Sequence, residues 1–143
     1  MKRLFTIFSA LFVLALFTAL PALAGDTNAV TIADGETAVA AGHSYSPVTI
    51  NTEGLEGFFA LQGQIEGGGA ARIEYQTSAD GAAFTEPQGA RDIIEGFTAT
   101  SGPASDGRFY VQFTPDFCRY LKIVITETGG VSSITPSVTL LKR

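Results

Sequence analysis

Short runs in which apolar and polar residues alternate fill the chain beyond residue 25. Along 71–77, for example, Ile73 and Tyr75 alternate with Glu74 and Gln76. Successive side chains of a β-strand point to opposite faces, so this period of two predicts a strand that buries one side. The 3.6-residue spacing of a long amphipathic helix does not occur beyond residue 25. This alternation predicts an all-β fold.

Residues that favour turns separate the runs. The turns are predicted at Gly67–Gly69, at Asp80-Gly81 and at Gly129-Gly130, because glycine after a short polar residue supplies the positive φ of a tight reversal. We predict eight or nine short strands, near 29–32, 37–40, 48–51, 58–65, 71–77, 93–100, 108–114, 120–126 and 137–141. The prolines, Pro136 among them, are expected at strand starts, edges or loops. Short antiparallel strands with such regular turns indicate a β-sandwich of the jelly-roll type.

The start of the chain has the order of a secretory signal peptide. Lys2 and Arg3 precede an apolar run over 4–20, and the small residues Ala22 and Ala24 follow. A retained membrane helix is the alternative, but the run is shorter than the roughly 20 residues that span a bilayer. We therefore predict cleavage after residue 24 and export to the periplasm or the cell exterior.

The predicted mature chain, 25–143, has the length of one domain, and residues 25–36 are expected to form a loose N-terminal arm. Loss of two positive charges from the whole-chain net of −5 leaves the mature chain at −7. Partners with a dense negative charge need a basic face, so nucleic acid and anionic membrane are not expected. No membrane span is expected after cleavage. Cys118 is the only cysteine, so no internal disulfide can form, and we expect a buried structural thiol.

Three later segments resemble the C-terminal half of discoidin-like (galactose-binding-like) jelly rolls. They are "ARIEYQTSADGAAFTEP", the "F-x-V-x-F-T-P" strand and "CRYLKIVITET". The matching residues are Ser78, Asp80, Gly81, Phe84, Phe113, Pro115, Arg119, Tyr120 and Ile123. The resemblance implies a sandwich that binds sugars or lipid headgroups through loops at one end. Two family features are missing: the chain has no tryptophan, and it cannot form the disulfide that often ties the ends of such modules.

A second resemblance concerns the stretch "VAAGHSYSPVTINTEGLEGFFALQGQIEG". It is similar in style to small β-sandwich subunits of phage virions and of secreted bacterial assemblies. This likeness implies a structural role.

Few residues are suited to catalysis or metal binding. His43 and Cys118 are each the only residue of their kind, and no Gly-x-Ser-x-Gly elbow or phosphate-binding loop occurs. Zinc would need several such ligands. Calcium takes oxygen ligands from loops, and Asp80, Glu86 and Asp106 lie in or beside predicted loops. The pair Asp80-Gly81, however, is explained by its turn. We therefore expect no enzymatic activity, no metal and no cofactor.

Binding is the function class that remains. We expect a non-catalytic exported module that contacts a glycan, an envelope component or a protein, with contact residues among Tyr45, Asp80, Phe84, Arg108 and Tyr110. Exposed aromatic rings would stack on sugars while polar groups fix their orientation. The interpretation that we favour for Phe84 is that its ring fills the sandwich interior. The alternative function is a structural subunit that self-associates into an extracellular or virion-like assembly through an edge strand or the N-terminal arm.

Overall fold

A computed structural model describes residues 28–143, and the predicted signal peptide and its cleavage site lie outside that part. Nine strands follow one another along the chain: β1 Ala29–Asp34, β2 Ser44–Tyr45, β3 Thr49–Asn51, β4 Phe59–Gly67, β5 Ala71–Ser78, β6 Ile94–Phe97, β7 Arg108–Phe113, β8 Tyr120–Glu127 and β9 Ile134–Lys142. Within residues 28–143 there is no helix, and so none long and apolar enough to cross a membrane. The prediction of an all-β chain is confirmed.

The strands form two antiparallel sheets. Sheet A has the order β1-β9-β4-β7, and sheet B has the order β2-β8-β5-β6 with β3 also paired to β8. Because β2 and β3 both pair with β8, they act as one interrupted strand. The pairs β1–β9, β2/β3–β8, β4–β7 and β5–β6 are then those of a long hairpin rolled up on itself, which is the jelly-roll arrangement.

The core lies between the two sheets and is built from the inward half of each alternation. Leu61, Ile73, Ile123 and Leu140 are completely buried, and side chains from every long strand pack with them. The aliphatic residues at these positions have the branched shapes that suit a pleated, buried surface. Since the inward positions are occupied by this core, the alternate positions of the same strands are left to form the two outer faces.

Several local predictions differ from the structure. Residues 29–34 are not a loose arm, because they pair with β9 as strand β1. The expected strand at 37–40 is only an isolated bridge at Val39, and β2 was not predicted.

Pro136 was also misplaced, because it lies inside β9 and is buried. Its backbone faces β1 near a register shift, where its carbonyl accepts from Gly35 N at 3.0 Å. A missing N–H is tolerated there because β1 ends at Asp34, opposite Ser137.

Candidate functional site

The outward side chains of β4, β7 and β9 form one nearly flat surface on sheet A, which we call the polar face. Cross-strand pairing arranges it in three rows. The rows are Leu141–Ala60–Gln112, Thr139–Gln62–Tyr110 and Ser137–Gln64–Arg108. Amide and hydroxyl groups make up most of this surface, whereas the inward side of the same strands is apolar. The face therefore offers hydrogen-bond donors and acceptors on a rigid sheet.

A shallow groove crosses the first row of the polar face. Phe58 and Tyr110 both line it and are 62% and 58% exposed, which is unusual for large aromatic rings. Between them along the strand, the small residue Ala60 is only 7% exposed and pairs with Leu141 on one side and Gln112 on the other. The groove thus has an apolar floor with an aromatic ring on two sides.

The backbone around Phe58 is fixed by the end of β9. Arg143 N donates to Phe58 O at 3.1 Å, and Glu56 N donates to Arg143 O at 2.8 Å. The side chains of Arg143 and Glu56 also form an ion pair, with Arg143 Nε 3.3 Å from Glu56 Oε2. These contacts fix the backbone position from which the Phe58 ring projects.

A second depression lies beside the third row. Gln62, Gln64, Ser137 and Thr139 line it together with Arg108. Gln64 Nε2 donates to Asp106 O at 3.2 Å, and Arg108 Nε lies 3.6 Å from Asp106 Oδ2. Two of the predicted contact residues, Arg108 and Tyr110, therefore share one face with these amide and hydroxyl groups.

The other three predicted contact residues do not join this face. Tyr45 is half-buried on β2 and packs against the core, and Asp80 is exposed in the β5–β6 connection. Phe84 is half-buried, and Lys122 Nζ lies 4.1 Å from its ring centroid. Lys122 belongs to the outer face of sheet B, since its neighbours in β8 alternate inward. The interpretation that Phe84 fills the sandwich interior is therefore wrong.

Asp80 serves the turn. Its Oδ1 accepts from Ala82 N at 2.9 Å, from Ala83 N at 3.1 Å and from the Ser78 hydroxyl at 2.9 Å. These donors, Ala82 N–H first, lower the pKa of the Asp80 carboxyl group. Gly81 has φ +78°, as predicted, and a side chain added there would touch the Tyr120 ring. The Asp-Gly pair is thus explained by local structure.

A cluster of carboxylates lies on the outer side of sheet B. Oxygen atoms of Glu74, Glu86 and Asp92 lie within 4.8 Å of one another. Burial, followed by the nearby acids, raises the pKa of Glu74, while Arg72, 3.2 Å away, opposes the shift. Exposed acidic groups of this kind are common without a metal, and the arginine already balances part of the charge.

Glu127 is a buried carboxylate at the end of the sandwich where β8 finishes. It accepts backbone N–H bonds from Gly42 at 2.8 Å, Ala70 at 3.2 Å, Gly129 at 2.7 Å and Gly130 at 2.9 Å. Those bonds, Gly42 first, lower its pKa. The carboxylate therefore ties three loops together, which is a structural role.

The histidine and the cysteine do not form a catalytic pair. His43 is exposed, and its Nδ1 lies 2.9 Å from Ala41 O. Cys118 is half-buried against the core at the other end of β8, and burial raises the pKa of its thiol. A thiol with a raised pKa is a poor nucleophile.

Phe58, Ala60, Gln62 and Gln64 were missed as site residues. The sequence alternation could have indicated them. Ala60, Gln62 and Gln64 occupy outward positions of β4, Phe58 continues the same alternation just before the strand, and the inward positions are mostly apolar. Their importance depends on Tyr110 and Gln112 of β7, and that pairing joins residues about 50 positions apart. No periodicity within one strand can reveal it.

No family model matches this chain, and no curated protein or solved structure matches it either. The discoidin-like and virion-like resemblances are therefore not supported beyond the β-sandwich itself.

Proposed function

We propose that this protein is an exported, non-catalytic β-sandwich module that binds a glycan on the polar face of sheet A. The observation that carries the proposal is the groove in which Phe58 and Tyr110 stand exposed on either side of the small Ala60. Aromatic rings stack on the apolar faces of sugars, and a small residue between them leaves room for the ring of the ligand.

The polar groups around the groove support the same ligand class. Gln112 flanks the floor, and Gln62 with Thr139 continues the surface in the next row. Amides and hydroxyls donate and accept hydrogen bonds without charge, as sugar hydroxyls do. A glycan can therefore satisfy these groups and stack on the aromatic rings at the same time.

The remaining parts of the proposal rest on the sequence. The signal-peptide pattern of residues 1–24 supports export, and the discoidin-like segments support a sugar-binding module. Binding on the polar face differs from the end-loop binding that the resemblance implies. The only histidine and the only cysteine, His43 and Cys118, lie at opposite ends of β8 and cannot act as a nucleophile and base pair, which supports a non-catalytic role.

Affinity electrophoresis tests the proposal. Mature protein should run more slowly in gels that contain cellulose derivatives, xylan, mannan or starch than in plain gels. In the variant Ala60→Gln, a longer side chain that suits an outward strand position fills the groove floor. This variant should therefore run as fast in the polymer gels as in plain gels. Gln76→Ala, an outward change on sheet B, is the matched control and should behave like wild type. Unchanged wild-type mobility with all four polymers would refute glycan binding.

A second candidate, self-association into an assembly, is favoured by the open edge of β7. Ile65 N donates to Gly107 O at 2.9 Å, so the antiparallel alternation turns the N–H and C=O groups of Tyr110 and Gln112 away from β4. The inward side chains Val111 and Phe113 remain half-exposed at this edge. An open strand of this kind can accept a strand from another chain.

Light scattering coupled to size exclusion separates the two candidates. An assembly subunit should increase in mass with concentration. Tyr110→Pro should suppress this and Tyr110→Ala should not, because both variants lose the ring but only proline removes the N–H that faces outward. A constant monomer mass at all concentrations would refute the assembly reading.

A further inference from the structure

We propose that the polar face binds an uncharged linear polysaccharide through its internal sugars, with the chain running along the strands. The inference rests on the proposed glycan binding and adds the class of glycan and the mode of binding. It is carried by the spacing of the aromatic residues, by the shallow form of both depressions, and by the pairing of the nearby charges.

The two exposed aromatic residues are too far apart to hold one sugar. Phe58 directly precedes β4 and stands four positions before Gln62, and Tyr110 lies directly opposite Gln62 on β7. At about 3.3 Å per residue and about 4.8 Å between strands, the two positions are roughly 14 Å apart. A sugar stacked on one ring lies about 4.5–7 Å from it, which leaves at least about 7 Å to the other position, so we expect the two aromatic residues to contact different sugars. A ligand that uses both residues then contains at least two sugars.

Hydrogen-bonding groups continue at and beyond the row of Tyr110. Gln62 and Thr139 lie in that row, and Gln64 with Ser137 forms the next one. From Phe58 to Gln64 the face extends for roughly 20 Å. The arrangement fits an extended chain whose first sugars stack on the aromatic residues and whose later sugars contact the amides.

Both depressions are shallow and open to solvent. Most lining residues come from β4, β7 and β9, and the segment before β4 adds Glu56 and Phe58 at one end of the first depression. An enclosed pocket is needed to recognise the end of a sugar chain by its shape. A face that is open along the strands accepts a chain that continues past it on both sides, so internal sugars are the expected contacts.

The charges on the face favour an uncharged chain. Arg108 is paired with Asp106, and Arg143 is paired with Glu56, so both arginines are already balanced. Lys142 lines the groove without an ion pair among the described residues. One lysine in a chain of net charge −5 is a weak attraction for a polyanion, whereas the amides and hydroxyls suit neutral sugars.

Isothermal titration with a length series tests the inference. The probes are cello-, xylo-, manno- and maltooligosaccharides of one to six sugars, with oligogalacturonate of six sugars as the anionic comparison. For the series that binds, affinity should rise with each added sugar and should not change when the reducing end is reduced to the alditol. The uncharged hexasaccharide should bind more tightly than the anionic one.

The variant Gln64→Ala tests whether long oligosaccharides reach the end of the polar face that is far from Phe58. It lies at the far end from Phe58, so it should weaken hexasaccharide binding about fivefold, the loss of one hydrogen bond, and leave disaccharide binding unchanged. Gln76→Ala on sheet B is its control. Tight binding of a monosaccharide, or tighter binding of oligogalacturonate, would overturn this inference and leave glycan binding intact. Failure of every oligosaccharide to bind would overturn the proposed function itself.

Discussion

Replacement of Tyr110 by alanine separates binding from folding, because the ring stands largely in solvent. An aromatic side chain offers roughly 200 Å² for burial, and Tyr110 is 58% exposed, so roughly 120 Å² is free. A sugar that covers one ring face buries about half of this, roughly 60 Å². At about 25 cal/mol per Å², the contact contributes about 1.5 kcal/mol, which is about a tenfold change in Kd.

Titration calorimetry with the hexasaccharide that wild type binds should therefore show Kd raised about tenfold in Tyr110→Ala. The free energy of unfolding in urea should fall by no more than about 1 kcal/mol, the span of strand propensity at an exposed position. Phe84→Ala removes an aromatic ring from sheet B and is the control, with Kd unchanged. Unchanged affinity in Tyr110→Ala, or an equal loss in the control, would refute the stacking argument.

Three further predictions concern stability, and a fourth concerns oligomeric state. Phe84→Ala should cost about 1.5–2 kcal/mol in a urea melt, roughly half of a core truncation, because its ring is half-buried; a loss of 4 kcal/mol would contradict this. Gly81→Val should cost about 2 kcal/mol through strain at φ +78°, Asp80→Ala should cost less, and a calcium-dependent rise in melting temperature that Asp80→Ala abolishes would contradict the turn assignment. Glu127→Gln should lower the melting temperature at pH 7. The folded pKa of Glu127 lies below its ordinary value of 4.5. The difference in melting temperature between wild type and Glu127→Gln should therefore be full above pH 4.5 and should shrink as the pH falls through the folded pKa. A difference that does not change with pH would argue against stabilisation by the ionised carboxylate. Cys118→Ser should change neither the oligomeric state nor mobility on a non-reducing gel, and a reducible wild-type dimer would contradict the structural thiol.

The fold was largely predictable because its signals are local. The alternation of Ile73 and Tyr75 with polar residues fixed the inward face of β5, and Asp80-Gly81 fixed a turn whose φ follows from the residue itself. Short elements were harder. β2 has only two residues, Ser44 and Tyr45, so no period can be read from it, and its pairing with β8 comes from the tertiary fold.

The candidate site was less predictable, because it is assembled across strands. Arg108 and Tyr110 could be proposed from residue type, but their neighbours Gln62 and Gln64 come from the register of β4 against β7. Phe84 illustrates the opposite error. An aromatic residue after a turn suggests the core, yet the chain carries this ring across the outer face of sheet B to Lys122. Which face a loop crosses is not encoded in its own periodicity.

A titration of ¹⁵N-labelled mature protein with each of the four uncharged hexasaccharides, followed by amide chemical shifts, tests the polar face most directly. We expect the largest shifts at residues 58–64, 108–112 and 137–141, with the amides of sheet B unaffected. Shifts confined to the end loops at 79–84 and 114–119, or no shifts with any of the four, would contradict a glycan site on sheet A.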